Sequence, residues 1–299
     1  MRKSHYIYLA ILSVFFACED EVDIALNDAP AVLVVDAWVN DMPQLQEINL
    51  MMSQPYFDSS QPPEVSGAEV VITDDQGQTF EFTEAEAGSY QWDPAAHSAS
   101  FEIGRSYHLS VTYNGNTFEA DSELKRVPAL DSIVYTYYEE RNAFQPEGYY
   151  AQFYARDPEG TGDSYWIKTY KNGLYLSRPS DLNIAYDAAF SSTAPVDGVI
   201  FIEPIQNGAT PLNDDEDAYE PYVFGDSVYI EIYSITNEAF RFLDAVSTQI
   251  ERDGGFAEIF AEPLENVPCN ISCTSSEEEQ VVGFFNASAV AYRGERLEE

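Results

Sequence analysis

The sequence predicts a mainly β protein: an N-terminal Ig-like β-sandwich over residues 30–126, then a β-rich unit over 127–299 that carries one amphipathic helix. Three observations lead there. Tyrosine (21) and phenylalanine (18) dominate the aromatic set, and both fit a pleated, half-buried surface better than a helical one. Short alternating apolar segments recur between turn signals, and only Asn237 to Arg252 keeps a helical period. A chain of 299 residues is long enough to bury two modest cores.

In the first unit Ala31 to Val39 is a near-continuous apolar run, and Glu47 to Met52 follows the turn Asn40-Asp41-Met42-Pro43. Ala68, Val70 and Ile72 share one face of the next strand. Asp74-Asp75-Gln76-Gly77 then turns the chain into Thr79 to Thr83 as a hairpin. Tyr90 with Trp92, Tyr107 to Tyr113, and Thr117 to Ala120 complete some seven short strands, the number expected of an Ig-like sandwich. Val127-Pro128 interrupts the alternation, since proline removes a ladder donor.

The second unit restarts with Ser132 to Tyr138. Tyr149 to Arg156 and Tyr165 to Tyr170 flank an acidic loop, and Val199 to Glu203 and Ser227 to Tyr233 add strands. The helix has Thr236 as candidate N-cap, Gly254 as candidate C-cap, and a stripe of Ala239, Phe242, Leu243, Val246 and Ile250 expected to pack on a sheet. One long strand, Val281 to Tyr292, closes the pattern.

The N-terminus is an address. Arg2 and Lys3 precede the apolar run Ile7 to Ala17, too short to span a bilayer as a helix but matching a signal peptide over 1–17. Ala17-Cys18 fits a bacterial lipobox, in which the cysteine is acylated and becomes the new N-terminus; an ordinary secretory signal or an uncleaved anchor is the alternative. Residues 18–29 then form an acidic tether.

Charge narrows the function classes. Lys plus Arg number 14 against 52 Asp plus Glu, a formal charge of −38, so phosphate backbones are repelled and nucleic-acid binding is disfavoured. His97 and His108 alone remain after the signal peptide, without zinc spacing, and Gly-x-Ser-x-Gly and P-loop signatures are absent. Calcium is the one cofactor that the acidic loops suggest, through Asp157 and Asp163 or through Asp214, Asp215 and Asp217. Neither set follows EF-hand spacing, and a solvated turn is the alternative. Cys269 and Cys273 suit a local disulfide in an oxidising compartment, or two free thiols. Tyr137, Tyr138, Tyr149, Tyr150, Tyr165 and Trp166 either stack on a ligand or fill a β core.

Several features in order resemble a family of Bacteroidota lipoproteins catalogued as domain of unknown function 4249. They are Cys18 with its acidic follower Glu19-Asp20-Glu21, Leu33-Val34-Val35, Val65 to Val70 before the DDQG turn, and Gly104-Arg105-Ser106-Tyr107. Val127-Pro128, Asp163-Ser164-Tyr165-Trp166, and Asn270-Ile271 through Val282-Gly283-Phe284-Phe285 complete the set. The resemblance implies an outer-membrane lipoprotein often found with TonB-dependent receptors, and it brings no catalytic residue. Glu19-Asp20-Glu21-Val22-Asp23 after Cys18 resemble the export signal that carries such lipoproteins to the outer face of that membrane, which predicts surface exposure; an acidic linker is the alternative. A non-catalytic binding or accessory role in uptake is therefore expected. A structural or adhesive surface protein is the alternative, and a glycan-active enzyme using paired carboxylates the third. Changing Cys18 to Ser is expected to release the protein from membranes or leave the precursor unprocessed. Fatty-acid label retained on that variant would exclude Cys18 as the lipid site.

Overall fold

The computed structural model describes residues 30–55, 58–97, 99–156, 158–186, 208–213, 218–250 and 266–299. The first unit supplies β1 (Leu33–Asn40), β2 (Gln46–Met52), β3 (Glu69–Asp74), β4 (Thr79–Glu86), β5 (Ser89–Trp92), β6 (Ser106–Tyr113) and β7 (Asn116–Glu123). The second supplies β8 (Leu130–Tyr138), β9 (Gly148–Ala155), β10 (Ser164–Lys171), β11 (Leu174–Tyr175), β12 (Asn183–Tyr186), β13 (Ser227–Ile235) and helix α1 (Asn237–Ile250). Last come β14 (Ser272–Cys273), β15 (Val281–Ser288) and β16 (Val290–Arg296). The chain is mainly β, as its alternation predicts, and the expected seven strands of the first unit are all present. The expected strand Val199 to Glu203 lies outside the described residues.

The first nine-stranded sheet runs β14-β7-β6-β3-β4-β5-β2-β1-β15. It folds over because β4 changes partner halfway: Thr79 to Phe82 pair with β3, Thr83 to Glu86 with β5. Its far ends then approach, and Ala287 N donates to Ser122 Oγ at 3.0 Å. The enclosed core is the inward face of each strand, including Val35, Ile48, Leu50, Val70, Ile72, Phe80, Leu109, Val111 and Phe285. Alternation explains this directly, since every second residue of β1 and β6 is buried.

The sequence boundary between 126 and 127 needs one correction. Val281 to Tyr292 is two strands, not one, broken at the buried Ala289. The first of them, β15, belongs to the first sheet, in parallel register with β1 from Leu33↔Val281 to Asn40↔Ser288. β16 belongs to the second sheet, antiparallel to β13. The sandwich of 30–126 is thus completed by strands from the other end of the chain.

The second sheet runs β11-β10-β13-β16, with β12 also on β10. The β8-β9 hairpin covers one of its faces, and between them lie Ile133, Phe153, Tyr165, Ile167, Ile230 and Ile232. Helix α1 closes the seam between the two sheets. Thr236 caps it as expected, its Oγ1 accepting from Ala239 N at 3.1 Å. Gly254 lies outside the described residues. The buried stripe is displaced from the expected one: Ala239, Phe240 and Leu243 are buried, Phe242 is partly covered, and Ile250 is exposed. The helix touches two sheets at once, so its covered arc turns toward Phe240 and Tyr186, whose rings lie 5.9 Å apart.

Buried polar groups tie the same seam. Ser234 exchanges backbone and hydroxyl bonds with Ala289 and donates to Lys125 O at 2.8 Å. Asn286 Oδ1 accepts from Thr236 N, and Asp41 Oδ1 from Val290 N. Gly283 makes the crossing strand possible: its φ is +118°, and a Cβ there would meet the Val35 carbonyl oxygen. Gly283→Ala is therefore expected to destabilise the whole chain by about 2 kcal/mol or more, read as a lower urea midpoint. An unchanged midpoint would mean that β15 does not dock on β1 as described.

Candidate binding face

The second sheet has two faces, and only one is roofed by the β8-β9 hairpin. Tyr165, Ile167 and Thr169 of β10 and Val228, Ile230 and Ile232 of β13 point into that core. Strand alternation sends Trp166, Lys168, Tyr170, Tyr229, Glu231 and Tyr233 to the other face. Register then lines them up: Trp166 opposite Tyr233, Lys168 opposite Glu231, Tyr170 opposite Tyr229. β16 places Tyr292 beside Glu231, and β11 places Tyr175 beside Tyr170.

One end of this face is covered by the outer side of β1. Trp38 and Trp166 meet edge to face with centroids 5.2 Å apart, and Trp38 stacks on Phe284 at 5.8 Å. Phe242 of α1 packs on Phe284 at 4.8 Å. One row further along, Lys168 Nζ lies 3.9 Å from the Trp166 ring centroid and 4.4 Å from that of Tyr233. Burial pulls the Lys168 amine below its usual range, against the opposing pull of Glu231 and Asp36. Asp36 reaches solvent on its outer side, yet burial by the facing unit raises its carboxyl, with Lys168 and the Trp38 side chain opposing.

Glu231 Oε2 accepts from the Tyr170 hydroxyl at 3.0 Å and the Tyr233 hydroxyl at 2.9 Å. Burial first, and the Glu231 charge second, push both phenols far above their usual range, so both stay neutral donors. Beyond this centre the face carries a row of tyrosines across four strands. Tyr175 and Tyr170 lie 5.2 Å apart, Tyr170 and Tyr229 5.7 Å, Tyr229 and Tyr292 5.9 Å. Gly294 opposite Tyr229 makes room, since a Cβ there would sit 3.2 Å from the Tyr229 ring. Tyr175 and Tyr292 are exposed. The charged groups have internal partners, while the outer rings offer apolar faces with polar tips. That chemistry suits non-covalent binding.

The sequence candidates are dispersed rather than gathered at this face. Tyr150 and Tyr165 are buried core, Tyr138 accepts from the Gln152 amide, and only Trp166 reaches the seam. Asp163 is not available as a calcium ligand, because Arg126 holds its carboxylate at 2.6 Å. Asp157, Asp214, Asp215 and Asp217 lie outside the described residues, as does Cys18. Among the described residues no group of three or more His, Cys, Asp or Glu could hold a metal ion. Cys269 and Cys273 are free thiols, so the expected bond is not formed. Their loop is pinned instead by Asn270, which exchanges two hydrogen bonds with the Phe285 backbone, and by Cys273 pairing with Phe118 of β7. Tyr170, Tyr175, Tyr229 and Tyr292 carried no flag in the sequence beyond an aromatic at every second position around Lys168 and Glu231.

A family model described as Domain of unknown function (DUF4249) matches residues 19–293. No curated protein matches the chain. Among solved structures, one from work on host cell surface retention of a 1.5-MDa bacterial ice-binding adhesin aligns at 12% identity with a TM-score of 0.16. The alignment covers 71% of this chain and 61% of that one, and at such a score it carries no argument.

Two outcomes follow from the charges. Glu231→Gln is expected to cost about 2 kcal/mol by leaving Lys168 with too little countercharge. The Lys168→Met, Glu231→Leu pair should cost less than the two single changes summed, in a urea double-mutant cycle. His108 lies between Asp121 and Glu119, and the hydrogen bond to Asp121 raises its pKa above 6.5 against partial burial. A raised folded pKa stabilises below the unfolded value and ceases to do so as pH rises through the folded one. The stability gap between the natural chain and His108→Gln should therefore be widest in mild acid and close toward alkaline pH. A gap independent of pH would exclude the ion pair.

Proposed function

The chain belongs to the DUF4249 family, and on that premise we propose that it is a non-catalytic, lipid-anchored outer-membrane protein that binds on behalf of a TonB-dependent receptor in uptake. The tyrosine row Tyr175-Tyr170-Tyr229-Tyr292 is the observation that carries this reading. Rings with one face outward and a polar tip are the side chains that binding surfaces favour. The central carboxylate and amine support the same view, because Glu231 accepts from two phenols and Lys168 rests on two rings. Such groups hold a platform in shape; they are not disposed as a nucleophile beside a base. The lipobox at Cys18 and the acidic residues after it support the anchoring and the outward leaflet.

Affinity purification of the full-length lipoprotein from native envelope tests the reading. A TonB-dependent receptor should be enriched over an unrelated lipoprotein bait, and Tyr175→Ser with Tyr292→Ser should reduce that enrichment about tenfold without lowering the thermal midpoint. Recovery of the protein with no receptor enriched would overturn the partnership. A deletion strain that loses attachment but grows normally on every defined nutrient would replace uptake with adhesion.

A further inference from the structure

The β8-β9 hairpin is longer than the sheet it covers. Tyr135 still meets that sheet, with its ring 5.2 Å from Tyr222 and its hydroxyl donating to Glu295 O at 3.0 Å. Tyr137, two residues on and therefore on the same side of the strand, overhangs the end of the core and is 51% exposed. It packs on its cross-strand partner Tyr149 at 5.2 Å, and Tyr149 packs on Phe224 at 5.2 Å. Phe224 and its neighbour Val223 are 51% and 65% exposed, and Phe144 at the hairpin tip is 66% exposed. A core-facing surface thus continues past the core that should cover it.

The rim is predominantly acidic among the described residues. Glu139, Glu140 and Glu147 are exposed around the tip, Arg141 lies over the Tyr138 ring at 4.8 Å, and Lys171, over the Tyr222 ring at 5.0 Å, is paired with Glu220. Backbone bonds fix the platform from both sides: Tyr222 N donates to Tyr149 O, Tyr219 N to Phe144 O, and Gly225 N to Leu297 O. A rigid aromatic centre with a carboxylate rim is how one partner of a protein interface is built. The chain's charge of −38 makes a second copy, or any acidic surface, the wrong occupant.

We propose that the overhanging aromatic tip, Tyr137, Tyr149, Val223, Phe224 and Phe144, is a docking site for a protein surface with an apolar centre and a Lys/Arg rim. Like charges facing one another across an interface are repulsive, so the carboxylates select the partner while the rings supply the contact area. The site is separate from the tyrosine row: it is built from the hairpin and the segment before β13, and it needs no TonB-dependent receptor to be its partner.

The test is site-specific photocrosslinking in living cells with the full-length protein. Val223→p-benzoyl-phenylalanine should form an adduct with one other polypeptide, mapped to a peptide flanked by Lys or Arg. Glu139→Lys, Glu140→Lys and Glu147→Lys together should lower its yield at least tenfold, as should Tyr137→Ser with Phe224→Ser. Thermal melting of each background, matched to the natural chain, separates lost docking from lost folding. If the triple change fails to fold, Glu140→Lys alone should still lower the yield at least twofold. Adducts to a second copy, adducts to lipid, a yield no greater than from the exposed Gln78 position, or a yield indifferent to charge reversal would each overturn the proposal.

Discussion

The parallel pairing of β15 with β1 is the interaction on which the rest of the molecule depends. Leu33 through Asn40 find their partners in Val281 through Ser288, nearly the whole chain away. Parallel neighbours cannot be joined by a tight turn, so this contact waits for everything between them. Without it β1 is an open edge beside an unfilled core, since Phe285 and Ala287 contribute to the first hydrophobic cluster. Pairing across so great a separation is also slow, because the entropy of closing the loop is lost before the contacts form.

The same strand sets the angle at which the two sheets meet. Because β15 passes into β16 through a buried alanine, the outer side of β1 is brought against one end of the second sheet. Trp38, Trp166, Phe284 and Phe242 fill the contact, and Asp36 then lies in the field of Lys168. The two units are therefore not beads on a linker. Arg126, within that linker, grips Asp163, and Ser234 reaches Lys125, so the connection is bonded along its length. The tyrosine row lies where this contact ends.

Local features were legible in the sequence and distant ones were not. The β3-β4 hairpin was readable because Asp74 to Gly77 both turn the chain and bond to it: Asp74 Oδ1 accepts from Gln76 N and Gln78 N. The helix was readable from its period and from Thr236. Its buried arc was not, since Phe240 is covered by a sheet from elsewhere in the chain. The break at Ala289 left no trace, because the largely apolar run from Val281 to Tyr292 continues through it while the partner strand changes. Alternation also assigns Tyr229 and Ile230 to opposite faces without saying which face is core. Asp163 read as an ion ligand because its partner, Arg126, lies far away in sequence.

The chain's three tryptophans divide between these structural levels. Trp92 lies in the sandwich core beside Phe80, whereas Trp38 and Trp166 touch one another across the seam. Two indoles at 5.2 Å, edge to face, share their excited state, and one of them also lies under an ammonium group. The molecule thus carries its own optical gauge. The near-ultraviolet circular dichroism of that pair reports whether the two sheets are docked, and the emission of Trp92 reports whether the first core is closed.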